Sequence, residues 1–495
     1  MAEKKQQKKV EELLELDGKD ILDDMISTGI KARDDASRDY GQAMLKDLVA
    51  QLIDPGTVVA KDASKTIQNR IAAIDEMISR QLNEILHHEE FQKLESTWRG
   101  LHHLVMNSET GDSMKIRVLN FNKKELLRDF QSAAEFTESA LWKKVYENEF
   151  GQFGGDPYGC LLGDYEFTRH PQDIELLEHI SHVAAAAHAP FVSAAGAEMF
   201  GLDSFTDMPN PRDLAKVFDK SNPENTKWLS FRDSEDARFV ALTVPHVLGR
   251  LPYGKDSKPV EAFDFEEDVS GDHDRYLWTN AAYSFVGRLT DSFSQHHWCV
   301  AIRGPEGGGL VEGLPIHTFK TREGDVGSKC PTEVLIPDTR EKELSDLGFV
   351  PLIHCKNTDY AAFFGANSVQ RPKVYQDDAA TANADLSRKI QYLMATSRIA
   401  HYLKAICRDK VGSFASRSNV QDYLNNWINQ YVLNQDDATQ EQKSKRPLRE
   451  AHVEVAEDKA RPGCYKAVAY LKPHFQLEEL NVSLRLVADL PEAAS

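Results

Sequence analysis

Residues 176–187 read LLEHISHVAAAA and residues 237–244 read ARFVALTV, and these two stretches decide the fold class. The first has a helical pattern and the second is a candidate strand. Three more candidate strands, residues 114–119, 297–303 and 348–353, lie in the same middle part of the chain. Strands that alternate with helices predict an α/β (mixed α+β) body.

Toward the N-terminus, apolar residues recur at steps of three and four and predict one or two long helices. These residues are Ile67, Ile71, Ile74, Ile78, Leu82 and Ile85, followed by Leu94, Trp98 and Leu101. Residues 1–60 hold shorter helical patterns, which are marginal in water by themselves. Their apolar faces must therefore dock, either on the rest of the chain or on a partner.

Toward the C-terminus, the charged segment 371–378 is a plausible domain boundary, after which a helical pattern restarts. Residues 420–431 predict a helix that is apolar on one side and rich in Asn and Gln on the other. A polar loop, 434–446, and two strands, 464–471 and 480–490, follow. The last strand alternates apolar and polar residues, so we expect it to be half-buried and to form a sheet edge.

The composition predicts a globular protein of several domains. The chain has 495 residues, 41% of them hydrophobic and 28% charged, and this length predicts roughly two to four domains. Its formal net charge of -19 argues against general nucleic-acid binding, which needs a cationic face.

Cysteine spacing and the apolar segments predict a cytoplasmic protein. The six cysteines are far apart, without zinc or redox spacing, and are interpreted as reduced thiols. The N-terminal lysines lead into acidic residues instead of the apolar core of a signal peptide. The most apolar stretch, 183–197, is too short to span a bilayer, so we expect no membrane insertion.

The Gly-rich stretch 304–309, GPEGGG, is the strongest candidate for enzyme chemistry. A phosphate- or nucleotide-dependent enzyme could use the backbone near Gly307, but such a loop needs a following helix and commonly a Lys before Ser or Thr. Here Leu310 follows and the flanks are interpreted as strands. We therefore expect a tight connection with a close backbone approach that only glycine allows.

The other candidate sites are weak. His179 and His182 would share a helix face, but a zinc site needs further ligands such as His188, beside which the helix should end. The acidic residues within 264–274 lack the spacing of a calcium loop and indicate a solvated or interfacial patch. No nucleophile motif is present, so the sequence predicts no cofactor and no enzyme activity.

Six segments resemble, in order, one known family: the large subunit of the type VI secretion contractile sheath (TssC or VipB, in the EvpB family). The segments are TDSF at 290–293 through Trp298 and Cys299, AIRG at 301–304 with LPIHTF at 314–319, PTEV at 331–334, LGFVPL at 347–352, AAFF at 361–364 and SRIAHYLK at 397–404. The resemblance covers essentially residues 60–495.

This resemblance implies a multi-domain structural protein that pairs with a small sheath subunit (TssB/VipA). The pair would polymerise into a helical sheath around an inner tube of ring protein (Hcp), on a baseplate, and contract to propel the tube and its effectors. A recycling unfoldase (ClpV) would dismantle the contracted sheath. The implied domains are an N-terminal segment for partner and unfoldase contacts (1–60), an α/β sheath body (61–375) and a C-terminal domain (376–495) facing the tube.

The resemblance also assigns three sets of candidate residues. The inter-subunit strand would use Leu480, Val482, Leu484, Leu486 and Ala488, which suits strand addition between chains. The tube-facing helix would present Arg417, Asp422, Asn425, Asn426 and Asn429. The candidates for unfoldase recognition are Leu13, Leu14, Ile21, Leu22, Met25 and Ile26.

Overall fold

The computed structural model describes residues 39–41, 43–44, 63–209, 213–269, 272–320, 326–412, 417–435, 437–457 and 465–476. The chain divides into two compact units, Met1–Gln81 and Leu82–Ser495. Of the three sets of candidate residues, only the tube-facing helix lies in these ranges. The inter-subunit strand and the unfoldase candidates lie outside the described residues.

The helices are named here in chain order. They are α1 (Ala63–Leu86), α2 (Glu89–Met106), α3 (Lys123–Ser132), α4 (Ala140–Trp142, continued by a π-helix over Lys143–Phe150), α5 (Pro171–Ala187), α6 (Leu214–Val217), α7 (Thr226–Asp233), α8 (Ala281–His296), α9 (Asp338–Asp346), α10 (Asp378–Ser387), α11 (Ile390–Lys410), α12 (Arg417–Ile428) and α13 (Gln440–Lys445). Short 3-10 turns cover Phe136–Glu138, Ala197–Phe200, Phe205–Asp207, Pro223–Asn225, Asp236–Phe239, His273–Arg275 and Asn429–Tyr431.

The strands are β1 (Leu161–Phe167), β2 (Phe191–Ala195), β3 (Val240–Val244), β4 (Val247–Leu248), β5 (Trp278–Thr279), β6 (Leu310–Val311), β7 (His317–Lys320), β8 (Val326–Lys329), β9 (Phe349–His354), β10 (Ala361–Phe363), β11 (Leu448–Glu457) and β12 (Tyr465–Pro473). The mixed helix-and-sheet class predicted from the sequence is confirmed. None of the helices in the described ranges is both long and apolar enough to cross a membrane.

A six-stranded sheet with the order β1-β2-β3-β9-β10-β6 organises the second unit. Strands β1, β2, β3 and β9 are parallel, whereas β10 pairs antiparallel with both β9 and β6. Every residue of β2 and β3 is buried, which is typical of a parallel sheet covered on both faces. Helices α5 and α8 both pack on β1, β2 and β3.

A second, smaller core lies near the C-terminus. Helices α11 and α12 and strand β11 contribute Ile399, Leu424, Ile428, Val453 and Val455 to one buried cluster. Strands β11 and β12 form a separate two-stranded antiparallel sheet. Burying the apolar side of α12 against this sheet is what stabilises a hairpin that would be marginal alone.

The helical predictions for residues 67–101 and 176–187 are confirmed, since the run that starts near Ile67 forms α1 and α2 and residues 176–187 lie in α5. Nearly all of the shorter helical patterns predicted for residues 1–60 lie outside the described residues. The candidate strands 237–244 and 348–353 correspond to β3 and β9, although Asp236–Phe239 is a 3-10 turn.

Two predicted strands are wrong. Residues 114–119 form no strand, and the side chains of Lys115 and Arg117 pair with Asp156 and Glu149. Residues 297–303 form no strand either, because the chain turns at His297 (φ 64°). A strand pattern without a neighbouring strand to complete its ladder stays extended coil.

The polar loop 434–446 contains helix α13, where Thr439 and Gln442 form a reciprocal capping box.

Candidate functional site

The Gly-rich stretch closes on strand β10 and does not form a phosphate loop. The N–H of Gly304 donates to the carbonyl of Phe363 at 2.7 Å, and the N–H of Phe363 donates to the carbonyl of Gly309 at 3.0 Å. A Cβ on Gly309 would lie 2.6 Å from the Phe363 oxygen, and one on Gly308 would lie 2.3 Å from the Ala301 oxygen. The chain then enters β6, where a phosphate loop would need a helix N-terminus. The expected close backbone approach is confirmed.

A continuous chain of hydrogen bonds joins five titratable side chains near the ends of β1 and β3. Lys329 Nζ lies 3.0 Å from His273 Nδ1, and His273 Nε2 lies 3.1 Å from Glu333 Oε1. The second Glu333 oxygen contacts His246 Nδ1 at 2.5 Å, and His246 Nε2 contacts Glu166 Oε1 at 2.9 Å. The chain therefore ties three separate loops to the carboxyl edge of the sheet.

The two carboxylates determine the charge of His246. Burial alone would lower its pKa, but the hydrogen bonds to Glu166 and Glu333 raise the pKa of His246 to about 10. Burial would raise the pKa of Glu333, but His246 and His273 lower it to about 2. The imidazolium thus donates to two carboxylates, and the arrangement is a structural clamp.

The histidines considered as metal ligands have other partners. His179 stacks on the Phe130 ring at 5.1 Å, and His182 Nδ1 lies 2.8 Å from the Asp236 carboxylate. His188 ends α5 in the left-handed conformation. Across the described ranges, no group of three or more His, Cys, Asp or Glu residues is arranged to hold a metal ion.

The acidic segment 264–274 is not uniformly solvated, which corrects one expectation. The side chain of Glu267 is only 1% exposed and forms a two-pronged ion pair with Arg250, with distances of 2.5 and 3.0 Å. Arg250 also binds Glu95 at 2.7 Å. Glu267 therefore belongs to a buried clamp that fixes α2 to this segment, whereas Asp264 and Asp268 pair with cations at the surface.

Four of the five residues proposed for the tube-facing helix are exposed. They are Arg417, Asp422, Asn426 and Asn429. The opposite side of α12 carries Leu424 and Ile428, both fully buried. A polar exposed face on a helix that is anchored by its apolar side is compatible with a contact surface, and this part of the assignment stays a prediction.

Asn425 does not belong to that surface, which corrects the assignment. Its Nδ2 donates to the carbonyl of Val453 at 2.8 Å, and its Oδ1 accepts from the N–H of Val453 at 2.8 Å. Gln421 Oε1 accepts from the N–H of Val455 at 3.1 Å. These amides bond the outer edge of β11 as a neighbouring strand would.

The opposite edge of the hairpin is open within the described part of the chain. Because the N–H and C=O of Val453 both face α12, Val453 and its partner Ala469 are a non-hydrogen-bonded pair. Ala469 therefore directs its own N–H and C=O away from β11, and the same alternation applies to Ala467 and Leu471. No described strand lies along this side of β12. Sequence reasoning missed β11, and with it this edge.

The outer face of the hairpin carries exposed apolar side chains. Val468 is 49% exposed and Tyr470 is 54% exposed, with the ring of Tyr470 5.2 Å from that of His452. Glu450 and Lys472 pair across the two strands at 3.1 Å. An open backbone edge beside exposed apolar groups is the geometry that strand addition uses.

Helices α1 and α2 each carry an exposed apolar stripe. On α1 the stripe is formed by isoleucines that are 40% to 52% exposed: Ile67, Ile71, Ile74, Ile78 and Ile85. On α2, Leu94 is 55% exposed and Trp98 is 63% exposed. Apolar residues at this spacing on a helix surface are typical of helix-to-helix interfaces.

Two family models match most of the chain. The EvpB/VC_A0108 tail sheath N-terminal domain matches residues 68–370, and the EvpB/VC_A0108 tail sheath gpW/gp25-like domain matches residues 379–490. A curated relative, the type VI secretion system sheath protein TssC1 of Pseudomonas aeruginosa, is 48% identical over 468 residues, which cover 94% of this chain and 93% of the relative.

Two solved structures show weaker likeness. The anti-feeding prophage baseplate matches with a TM-score of 0.35 and 11% identity, over 64% of this chain and 66% of that chain. The contracted helical sheath of the same prophage matches with a TM-score of 0.30 and 12% identity, over 62% and 66%.

Proposed function

Because the chain belongs to the EvpB/VC_A0108 family of type VI secretion tail sheath proteins, we propose that it polymerises by adding a strand to the open edge of β12. The protein is a large subunit of the contractile sheath. In this role it bears force between neighbouring subunits and carries out no chemical reaction.

The single observation that carries this mechanism is the difference between the two edges of the hairpin. The β11 edge is occupied by Asn425 and Gln421 of the same chain, so it cannot accept another strand. On β12, Ala467, Ala469 and Leu471 present N–H and C=O groups outward. A backbone ladder depends little on side chains and can persist while other interfaces slide during contraction.

The donated strand is residues 480–490 of a neighbouring copy, with Leu480, Val482, Leu484, Leu486 and Ala488 on its apolar side. The last described residue before it, Gln476, is held on its own subunit. Its N–H donates to the Tyr392 hydroxyl at 3.0 Å and its side chain donates to the carbonyl of Val300 at 3.1 Å. A strand leaving such an anchor transmits tension to the body of the subunit that donates it.

We propose the remaining contacts as follows. The small sheath subunit packs on the isoleucine stripe of α1, since an amphipathic partner helix would cover it. The inner-tube ring protein faces Arg417, Asp422, Asn426 and Asn429. The baseplate starts sheath growth, the recycling unfoldase binds near Leu13 to Ile26, and assembly takes place in the cytoplasm.

An outward-facing proline tests the mechanism. Ala467→Pro removes an N–H that the β11 ladder does not use, so the hairpin should fold while strand addition is blocked. Ala467→Val, which keeps the N–H, is the matched control. After co-expression with the small subunit, we expect sheaths in negative-stain micrographs for the control only, with equal circular dichroism for both soluble chains. Normal sheaths from Ala467→Pro would contradict the mechanism.

A further inference from the structure

The segment 366–371 runs between helix α7 and the junction of α10 with α11. The N–H of Ser368 donates to the carbonyl of Arg388 at 2.8 Å, and the N–H of Arg371 donates to the carbonyl of Arg232 at 2.8 Å. Three arginines from separate elements are thereby held along one short stretch of backbone. This stretch lies where the first family match ends and before the second begins.

Arg232 is a buried charge without a counter-ion. The residue is 4% exposed, and its Nε donates to the carbonyl of Val369 at 2.8 Å. It forms no ion pair with any carboxylate of the described ranges. Burial, together with the nearby charges of Arg388 and Arg371, lowers the pKa of Arg232 to about 10, although Asp233 acts in the opposite direction. A buried guanidinium in this setting is costly unless something neutralises it.

The neighbouring cations exceed the neighbouring carboxylates. Arg371 pairs with Asp233, while Arg388 and Lys389 share Asp385 at 2.8 and 3.4 Å. With Arg232, the three arginines alone therefore exceed the two carboxylates, Asp233 and Asp385. The surplus is positive in a chain whose formal net charge is -19.

Two hydrogen-bond donors at the same place are also unused. Arg388 is 7% exposed, and its Nη1 has no hydrogen-bond partner among the described residues. The hydroxyl of Ser368, which is fully buried, has none either within the same ranges. Buried donors are paired in nearly all native proteins, so unused donors beside surplus positive charge indicate a missing acceptor.

We propose that Arg232, Arg371 and Arg388 form a binding site for a small oxyanion, with Ser368 as an additional donor. The planar guanidinium fork matches the paired oxygens of phosphate and of carboxylate. The oxyanion comes either from free phosphate or from an acidic side chain of a neighbouring copy. The side chain of Arg371 is 34% exposed and provides the route of access.

Thermal unfolding of the purified full chain tests the site, with inorganic phosphate as the probe. Sodium chloride at equal ionic strength controls for screening. We expect phosphate to raise the midpoint temperature saturably, by about 2 °C or more beyond chloride. Arg232→Met should abolish this difference, whereas Arg238→Met, at an arginine that pairs with Glu235 at 3.1 Å, should keep it.

A second variant covers the case in which Arg232→Met fails to fold. Arg371→Gln, at the more exposed arginine, should weaken the phosphate dependence at least several-fold. Equal midpoints in phosphate and chloride would overturn the proposal, and so would an unchanged phosphate effect in either site variant.

Assembled sheaths distinguish the two sources of the oxyanion. If phosphate stabilises the free chain but not the sheath, we infer that a carboxylate of a neighbouring copy occupies the site in the sheath. Phosphate that stabilises both assigns it to the free anion. If phosphate stabilises the wild-type sheath, a sheath made with Arg371→Gln should lose that stabilisation, and its retention would count against the site.

Discussion

His246 accepts no hydrogen bonds and donates two, one to each of two carboxylates. The folded state holds its pKa at about 10, against an ordinary value of 6.5. A raised pKa in the folded state means that the proton stabilises the fold. This contribution is fully present below pH 6.5 and is lost as the pH rises toward 10.

His246→Gln should remove this part of the pH dependence. In the wild type, the free energy of unfolding should fall by at most about 1.4 kcal/mol for each unit that the pH rises between 6.5 and 10, because His246 loses its proton. Glutamine cannot carry the charge, so the variant should be less stable at pH 6.5 and should lose that slope. Urea titrations from pH 6 to 10 measure it. His452→Gln, at an imidazole whose side chain is 53% exposed, is the control, and an identical slope in His246→Gln would disprove the assignment.

Gly308 and Gly304 differ only in what surrounds them. Both have positive φ, 89° and 73°, but only a Cβ on Gly308 would meet another atom, the Ala301 oxygen at 2.3 Å. Gly304→Ala should cost about 1 to 2 kcal/mol from backbone strain. Gly308→Ala should cost about 3 kcal/mol or more because the close contact with the Ala301 backbone must also open. Denaturant unfolding of the two variants compares these costs, and equal values would show that the close approach contributes nothing.

At the scale of elements, α12 is held to β11 by side-chain amides as well as by apolar packing. Asn425→Ala should leave the N–H and C=O of Val453 without partners and cost about 2 to 4 kcal/mol. Asn426→Ala, at the exposed neighbouring position, should change the free energy of unfolding by less than about 0.5 kcal/mol. Urea unfolding measures both, and a loss from Asn426→Ala as large as that from Asn425→Ala would refute the assignment.

The sequence predicted elements whose apolar pattern matched their final burial. Helix α5 and the buried strands β3 and β9 are examples. It failed for residues 114–119, because a strand pattern cannot show whether a neighbouring strand exists. It also missed β11, where Arg449, Glu450 and Glu454 share the strand with the buried Val453 and Val455 and give the segment a polar composition.

The candidate site was harder to predict than the fold. The sequence shows that one side of α12 is rich in Asn and Gln, and the prediction assigned this whole side to the contact with the inner tube. Asn425 and Asn426 are adjacent in sequence, yet one bonds a strand of the same chain and the other faces outward. Which amide does which depends on the position of β11, a long-range contact that helical spacing does not encode.

At the scale of the whole molecule, removal of the N-terminal segment should separate contraction from recycling. Deletion of residues 1–30 removes Leu13 through Ile26 and leaves every described element intact. We expect sheaths that assemble and contract normally but are disassembled several-fold more slowly by the unfoldase with ATP. Light scattering of contracted sheaths measures the rate. An unchanged rate would place recognition elsewhere, and failed assembly would indicate a structural role for the segment.

Before assembly, two copies of the chain could pair their β12 strands with each other. Such a pair would occupy both open edges and could not extend into a polymer. In a twofold antiparallel pair centred on Ala469, Lys466 of one copy lies opposite Lys472 of the other, and the symmetry repeats this meeting. Like charges directly opposite each other disfavour such a pair, and lysines are common gatekeepers on exposed strands. The two lysines therefore discourage premature self-association of free subunits, while a strand without matching positive charge meets no such barrier.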